Sequence, residues 1–96
     1  MKRLSVNSVW RIEYDPDARK FLKHADRVVA QRITRYLEER LAVAVDPRTL
    51  GATLTGPILG AYWKYRVGDY RIICDIQDET ITILVVKIGN RREVYR

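Results

Sequence analysis

The sequence predicts an α+β domain: a small antiparallel sheet in the order β-α-α-β-β-β, with two N-terminal helices packed on one of its faces. Three observations carry this. There is an alternating segment near the start, then two consecutive stretches of helical spacing each opened by an aspartate, and then a final third built mostly of alternating segments. In VWRIEY, Trp10, Ile12 and Tyr14 oppose Val9, Arg11 and Glu13, the period of a half-buried strand. Asp15 and Pro16 end that strand and open a helix, because aspartate caps free amide groups and proline is tolerated at the first helical position. Ala18, Phe21, Leu22 and Ala25 then fall at i, i+3, i+4 and i+7 and form an apolar stripe. Asp26 opens a second helix, in which Val29, Ile33, Tyr36, Leu37, Leu41 and Ala44 continue helical spacing to about Val45, with Pro47 as the stop. Residues 46–60 hold three glycines and two prolines and read as an irregular loop. YWKYRV and YRIICDI alternate on either side of Gly68 and Asp69, where glycine suits a two-residue II′ hairpin turn. A second reversal at about Asp78 and Glu79 leads into TITILVVKI, apolar enough for a central strand.

At 96 residues the chain fits one small domain, read as a polar lead-in over residues 1–8 and a single domain over 9–96. An apolar fraction of 47% against 31% charged excludes the disordered class. No run of about 18 apolar residues and no signal-peptide stretch occurs, so the expectation is a cytoplasmic protein without a membrane partner. Cys74 is the single cysteine and sits in an alternating segment, which fits a buried structural thiol; no metal or other cofactor is expected. The net charge of +6, with a pI near 9.8, favours a polyanionic partner, either nucleic acid or an acidic protein. His24 falls on the polar side of the first helix, and no Ser/His/Asp or Cys/His set can be assembled. RITRYLEER resembles a basic recognition helix, but Glu38 and Glu39 would repel phosphate, so it reads as a solvated helix face.

The hairpin turn fixes a register. Val67 should pair with Tyr70, Tyr65 with Ile72 and Trp63 with Cys74 on a core face, while Arg66 opposes Arg71, Lys64 opposes Ile73 and Tyr62 opposes Asp75 on the other. Like charges directly opposite on a sheet repel, and an anion between Arg66 and Arg71 would reverse that. For Arg66 alone, a side chain lying flat on a solvated face is the simpler account. Carried on with Gln77 opposite Thr80, the register places Val86 beside Arg71 and sends residues 89–92 past the strand ends, so the cationic tail emerges near the same face. Lys64, Arg71 and Arg91, with Tyr95 close behind, then form a candidate anion site.

The opening YDPDARKFLKHAD, the middle LTGPILGAYWKYRVGDYRIICDI and the closing IGNRREVY, in that order from Trp10 to Tyr95, resemble RelE toxins of the RelE/ParE toxin-antitoxin superfamily. The resemblance implies a metal-independent endoribonuclease, an mRNA interferase that cuts codons in the ribosomal A site and inhibits translation. It also implies a RelB-like antitoxin that neutralises the basic face in a toxin-antitoxin hetero-oligomer. It places Lys64, Arg71, Arg91 and Tyr95 at catalytic positions; the candidate phosphate-binding residues are Lys64, Arg66, Arg71, Arg91 and Arg92, of which Arg66 comes from the hairpin register and Arg92 from its place in the cationic tail. Two departures stand out: Tyr62 occupies the place of a second family lysine, and the chain stops at Arg96 where the best-known member continues into a short helix. The ParE-like branch shares the fold but poisons DNA gyrase and does not cut RNA. Lys64, Arg71, Arg91 and Tyr95 fit the nuclease branch better, and a catalytically weak binding member, which the missing lysine permits, is the third possibility.

Overall fold

The computed structural model describes residues 9–54, 56 and 61–91. Among the described residues are five strands and two α-helices: β1 (Arg11–Tyr14), α1 (Pro16–His24), α2 (Arg27–Tyr36), β2 (Ala52–Thr53), β3 (Trp63–Val67), β4 (Tyr70–Gln77) and β5 (Thr82–Asn90). The sheet order is β1-β5-β4-β3-β2, with β1 parallel to β5 and every other neighbour antiparallel. The expected α+β architecture is present, with one strand more than predicted and a parallel edge pair that places β5 inside the sheet.

Both aspartate caps form. The Asp15 carboxylate accepts from the Asp17 amide at 3.2 Å, with Pro16 in the first turn, and the Asp26 carboxylate accepts from the Val28 amide at 3.1 Å. Between the helices Ala25 is extended, so the chain turns a corner without a linker. The α-helical geometry of α2 stops earlier than the spacing suggests, at Tyr36, and the chain continues as a wider π turn over Leu37–Leu41, where the Ala42 amide reaches back to the Leu37 carbonyl at 2.9 Å. Residues four apart drift by about 40° around an α-helix. A wider turn undoes that drift, and Ile33, Leu37 and Leu41 are all fully buried on one side. Val45 is 94% exposed and no longer helical, and Pro47 opens a new element: a 3-10 turn over Pro47–Leu50, capped by Asp46.

The segment expected to be wholly irregular thus contains this turn and the short β2, which pairs Ala52 with Lys64 and Thr53 with Trp63. Gly51 makes the approach possible, since a Cβ there would lie 2.6 Å from Tyr65 Cε1 and 2.7 Å from the Lys64 carbonyl oxygen. The buried Tyr65 hydroxyl donates to the Pro47 carbonyl at 2.8 Å, fastening the turn to β3. Arg48 pairs with Asp78 and ties the same turn to the β4–β5 reversal.

The hairpin register is as predicted at all five pairs from Trp63 with Cys74 to Val67 with Tyr70, and Gly68 has a φ of +59°. The β4–β5 register differs from expectation. Gln77 pairs with Thr82, not Thr80, and Arg71 pairs with Gly89, not Val86. Asp78 and Glu79 lack the glycine or asparagine that a two-residue turn favours. The reversal instead takes a 3-10 turn, Asp78–Thr80, followed by Ile81 at φ +49°. A bulge between Ile73 and Cys74 then adds Val86 as an extra residue on β5. Gly89 and Asn90 therefore lie inside the ladder and not beyond it.

Ala18, Ile33, Leu37 and Leu41 pack with Tyr65, Ile72, Cys74, Ile83 and Val85 in the main core, which places both helices on one sheet face. The opposite face holds a smaller cluster of Leu54 and Ile73 with Tyr62 and Val86. Gly51→Ala should destabilise the domain by about 1–3 kcal/mol, because backbone as well as a buried ring blocks the new methyl. Thermal denaturation checks this, and a melting temperature equal to that of the parent would contradict the close approach.

Candidate anion-binding face

Lys64 and Arg66 project from β3 on the face away from the helices, and the register brings Arg71 of β4 opposite Arg66. Arg66 is exposed, while Lys64 and Arg71 are half-buried. Together with Leu50, Gly51 and Ala52 the three cations line a cleft of about 310 Å³. Its far wall is thus the 3-10 turn and β2, elements that sequence periodicity could not reveal because a two-residue strand has no period. The Arg71 Nη1 donates to the Tyr70 carbonyl at 3.3 Å, which leaves the rest of its fork available. On its other side Arg71 meets Gly89 in place of the valine expected there, so no β5 side chain stands directly opposite it.

Arg91 follows the last ladder pair, and its amide donates to the Asp69 carbonyl at 3.1 Å. It therefore leaves the sheet at the hairpin tip, the end where Arg66 and Arg71 lie. The structure brings Lys64, Arg66 and Arg71 around one cleft and sets Arg91 at the adjoining turn. Arg92 and Tyr95 lie outside the described residues. Among the described residues the salt bridges join Arg11 to Glu13, Arg35 to Glu39, and Arg48 to Asp46 and Asp78, so none neutralises Arg66, Arg71 or Arg91. Arginine stays charged and offers a planar fork to phosphate or carboxylate oxygens, so this face can hold an oxyanion in two-point contact.

Other titratable groups are placed for structure. Burial pushes the Cys74 thiol well above its ordinary range, with Asp75 adding to the effect, and the side chain is fully buried. Burial, with Glu38 nearby, raises Tyr14 to about 12 and likewise raises Tyr65. Neither tyrosine suits a base near neutral pH. His24 is exposed, as expected, and lines a separate cleft of about 640 Å³ between α1 and the end of β5. Among the described residues, no helix is long and apolar enough to cross a membrane.

Solved structures of the same shape define the class first. The toxin-antitoxin complex RelBE2 of Mycobacterium tuberculosis contains a chain that matches with a TM-score of 0.78 at 20% identity, covering 90% of this chain and 95% of that one. The intact RelBE complex of E. coli gives 0.64 at 18% identity, covering 84% and 95%, and the archaeal RelE-RelB complex of Pyrococcus horikoshii gives 0.63 at 21%, covering 90% and 99%. These likenesses establish a RelE-like toxin fold. Residues 12–95 match the family model described as the ParE toxin of the type II toxin-antitoxin system parDE, so the chain belongs to that toxin family, within the RelE/ParE superfamily. Among curated proteins, none matches the sequence.

Two measurements check the buried groups. Cys74 should react with a thiol reagent only as fast as the protein unfolds, and rapid labelling under native conditions would contradict its burial. Because Tyr14 and Tyr65 have raised folded pKa values, the unfolded chain loses those protons first. The stability they contribute is therefore full below about pH 10 and falls as pH rises toward 12. Denaturant melts across that window should show the decline, with tyrosinate absorbance from these two residues appearing together with unfolding.

Proposed function

We propose that this toxin is a ribosome-dependent mRNA endonuclease acting in the cytoplasm, cutting codons presented in the ribosomal A site without a metal. The observation that carries this is the gathering of Lys64, Arg66 and Arg71 along one cleft, with Arg91 at its hairpin end and no described carboxylate paired to the three arginines. In the reaction a 2′-hydroxyl attacks the adjacent phosphorus in line, giving a 2′,3′-cyclic phosphate and a free 5′-hydroxyl. Arg71 and Arg91 stabilise the charge that builds on phosphate and leaving oxygen, since an arginine does not readily surrender a proton. Either Lys64 or Tyr95 serves as base. Tyr95 alternatively stacks on a base of the codon.

A set without histidine is a weak acid-base machine, and Tyr62 in place of a second lysine weakens it further. The ribosome supplies what is missing by orienting the codon, an effect worth about 7–11 kcal/mol when the reacting atoms are well placed. A RelB-like antitoxin neutralises the basic face in a hetero-oligomer, and the complexes that share the fold pair such toxins with RelB antitoxins. Their association should weaken as salt is raised, and affinity independent of salt would contradict an electrostatic interface.

One observation favours a second reading, poisoning of DNA gyrase: the matching family model is that of ParE. Inducing the toxin, then mapping mRNA 5′ ends and gyrase-dependent DNA breaks in the same cells, separates the two. In-frame mRNA cuts that fall about a hundredfold or more in Arg71→Ala, and fall also in Tyr95→Phe, support the nuclease. DNA breaks without such cuts would replace it with gyrase poisoning, and neither effect would indicate a binding member without catalysis. Cleavage of naked RNA at the same codons would remove the ribosome from the mechanism.

A further inference from the structure

One cation outside the cleft stands at the same turn. A Cβ on Gly68 would lie 3.0 Å from the Arg32 Nη2 and 3.6 Å from its Cζ and Nη1, so the Arg32 guanidinium of α2 rests over the hairpin tip from the helix side. Arg66 and Arg71 flank the same two-residue turn on the opposite face, and the Arg91 amide is bonded to the Asp69 carbonyl. Arginines from α2, β3, β4 and the residue after β5 therefore meet at the Gly68–Asp69 turn: the Arg32 guanidinium lies against it, and Arg66, Arg71 and Arg91 branch from backbone beside it. Asp69 is exposed, and its carboxylate takes part in none of the described salt bridges; nor do the four arginines. Arg32 is itself exposed, so its charge faces solvent.

Like charges that branch from one turn raise one another's energy, and a chain bearing a negative charge on every unit relieves it. Arg32 reaches the turn from the helix side of the sheet, and Arg66 and Arg71 belong to the opposite face, so a ligand that meets both sides must bend over the hairpin tip. A single-stranded phosphate backbone does this readily, each phosphate meeting a fork in turn. The geometry points to Arg32 as a phosphate-binding residue that continues the RNA track from the cleft, over the hairpin tip, onto the α2 side. This rests on the nuclease reading for its choice of RNA. Arg32 touches the strand away from the scissile bond, so it is a binding residue and not a catalytic one.

The test measures affinity of the purified chain for labelled 2′-O-methyl oligonucleotides, which cannot be cleaved, of uniform and of mixed sequence over a range of salt. Arg32→Gln should lower affinity equally for both sequences and reduce the slope of log affinity against log salt by about 0.7, one phosphate contact on a single strand. Arg32→Lys should keep most of that slope, and melting curves of both variants should match the parent. An unchanged slope in Arg32→Gln, while Arg66→Gln and Arg71→Gln lower theirs, would overturn the role of Arg32 and leave the nuclease reading intact. Loss of slope in Arg32→Gln in a protein that makes no mRNA cuts would uphold the RNA track and defeat the nuclease reading. If the parent ignores the oligonucleotides and binds polyglutamate through the same four arginines, the hairpin tip is an acidic-protein site and the RNA track is wrong.

Discussion

The β3–β4 hairpin decides most of what this molecule can do. A glycine with φ of +59° at the first turn position allows a reversal in two residues, and a two-residue loop leaves no freedom in the pairing that follows. Shifting that pairing by one residue would turn one strand over, sending either Tyr65 or Ile72 and Cys74 to solvent and bringing Arg66 or Arg71 under the helices. The hydrophobic core and the cationic face are thus two sides of one choice of register. Burial of the first enforces exposure of the second, so the repulsion between Arg66 and Arg71 is sustained by packing on the opposite side of the sheet.

The remaining elements act as supports for that hairpin. The 3-10 turn and β2 form the wall of the cleft, held by the Tyr65 hydroxyl on the Pro47 carbonyl and by the close passage of Gly51 over the Tyr65 ring. Tyr65 is 2% exposed and belongs to the main core, yet it lines the cleft as well. A side chain shared in this way ties the cleft wall to the core, an arrangement that favours fixed orientation of the side chains lining it. On the other flank β5 presents glycine opposite Arg71, so the same strand that completes the sheet leaves the arginine uncovered.

What the sequence made legible was local chemistry with a single geometric solution. Asp15 with Pro16, and Asp26, each demand a helix start, and Gly68 demands a tight turn; all three are where the residues place them. The errors fall where several geometries were open. Asp78 and Glu79 have no backbone preference strong enough to set a loop length, so the β4–β5 pairing came out two residues off before the bulge and three after it. Helical spacing persists through residues 37–41 whether the turn is α or π, which is why the end of α2 was overestimated. Of the site, Lys64, Arg66 and Arg71 followed from the hairpin alone, and Arg91 followed only roughly. Arg32 gave no signal, because periodicity assigns a face of its own helix and not the distant turn that a long side chain reaches.

The sheet order also has a meaning in time. β1 is made early, yet its ladder partner is residues 82–85 of β5, and β5 must insert between β1 and β4. Until those late residues leave the ribosome, β1 has no neighbour and Arg71 has no β5 strand beside it. Sheets closed by such distant pairing form late. In a chain whose family members are toxins, the topology itself thus delays the completed sheet, and with it the cationic face, until β5 is in place.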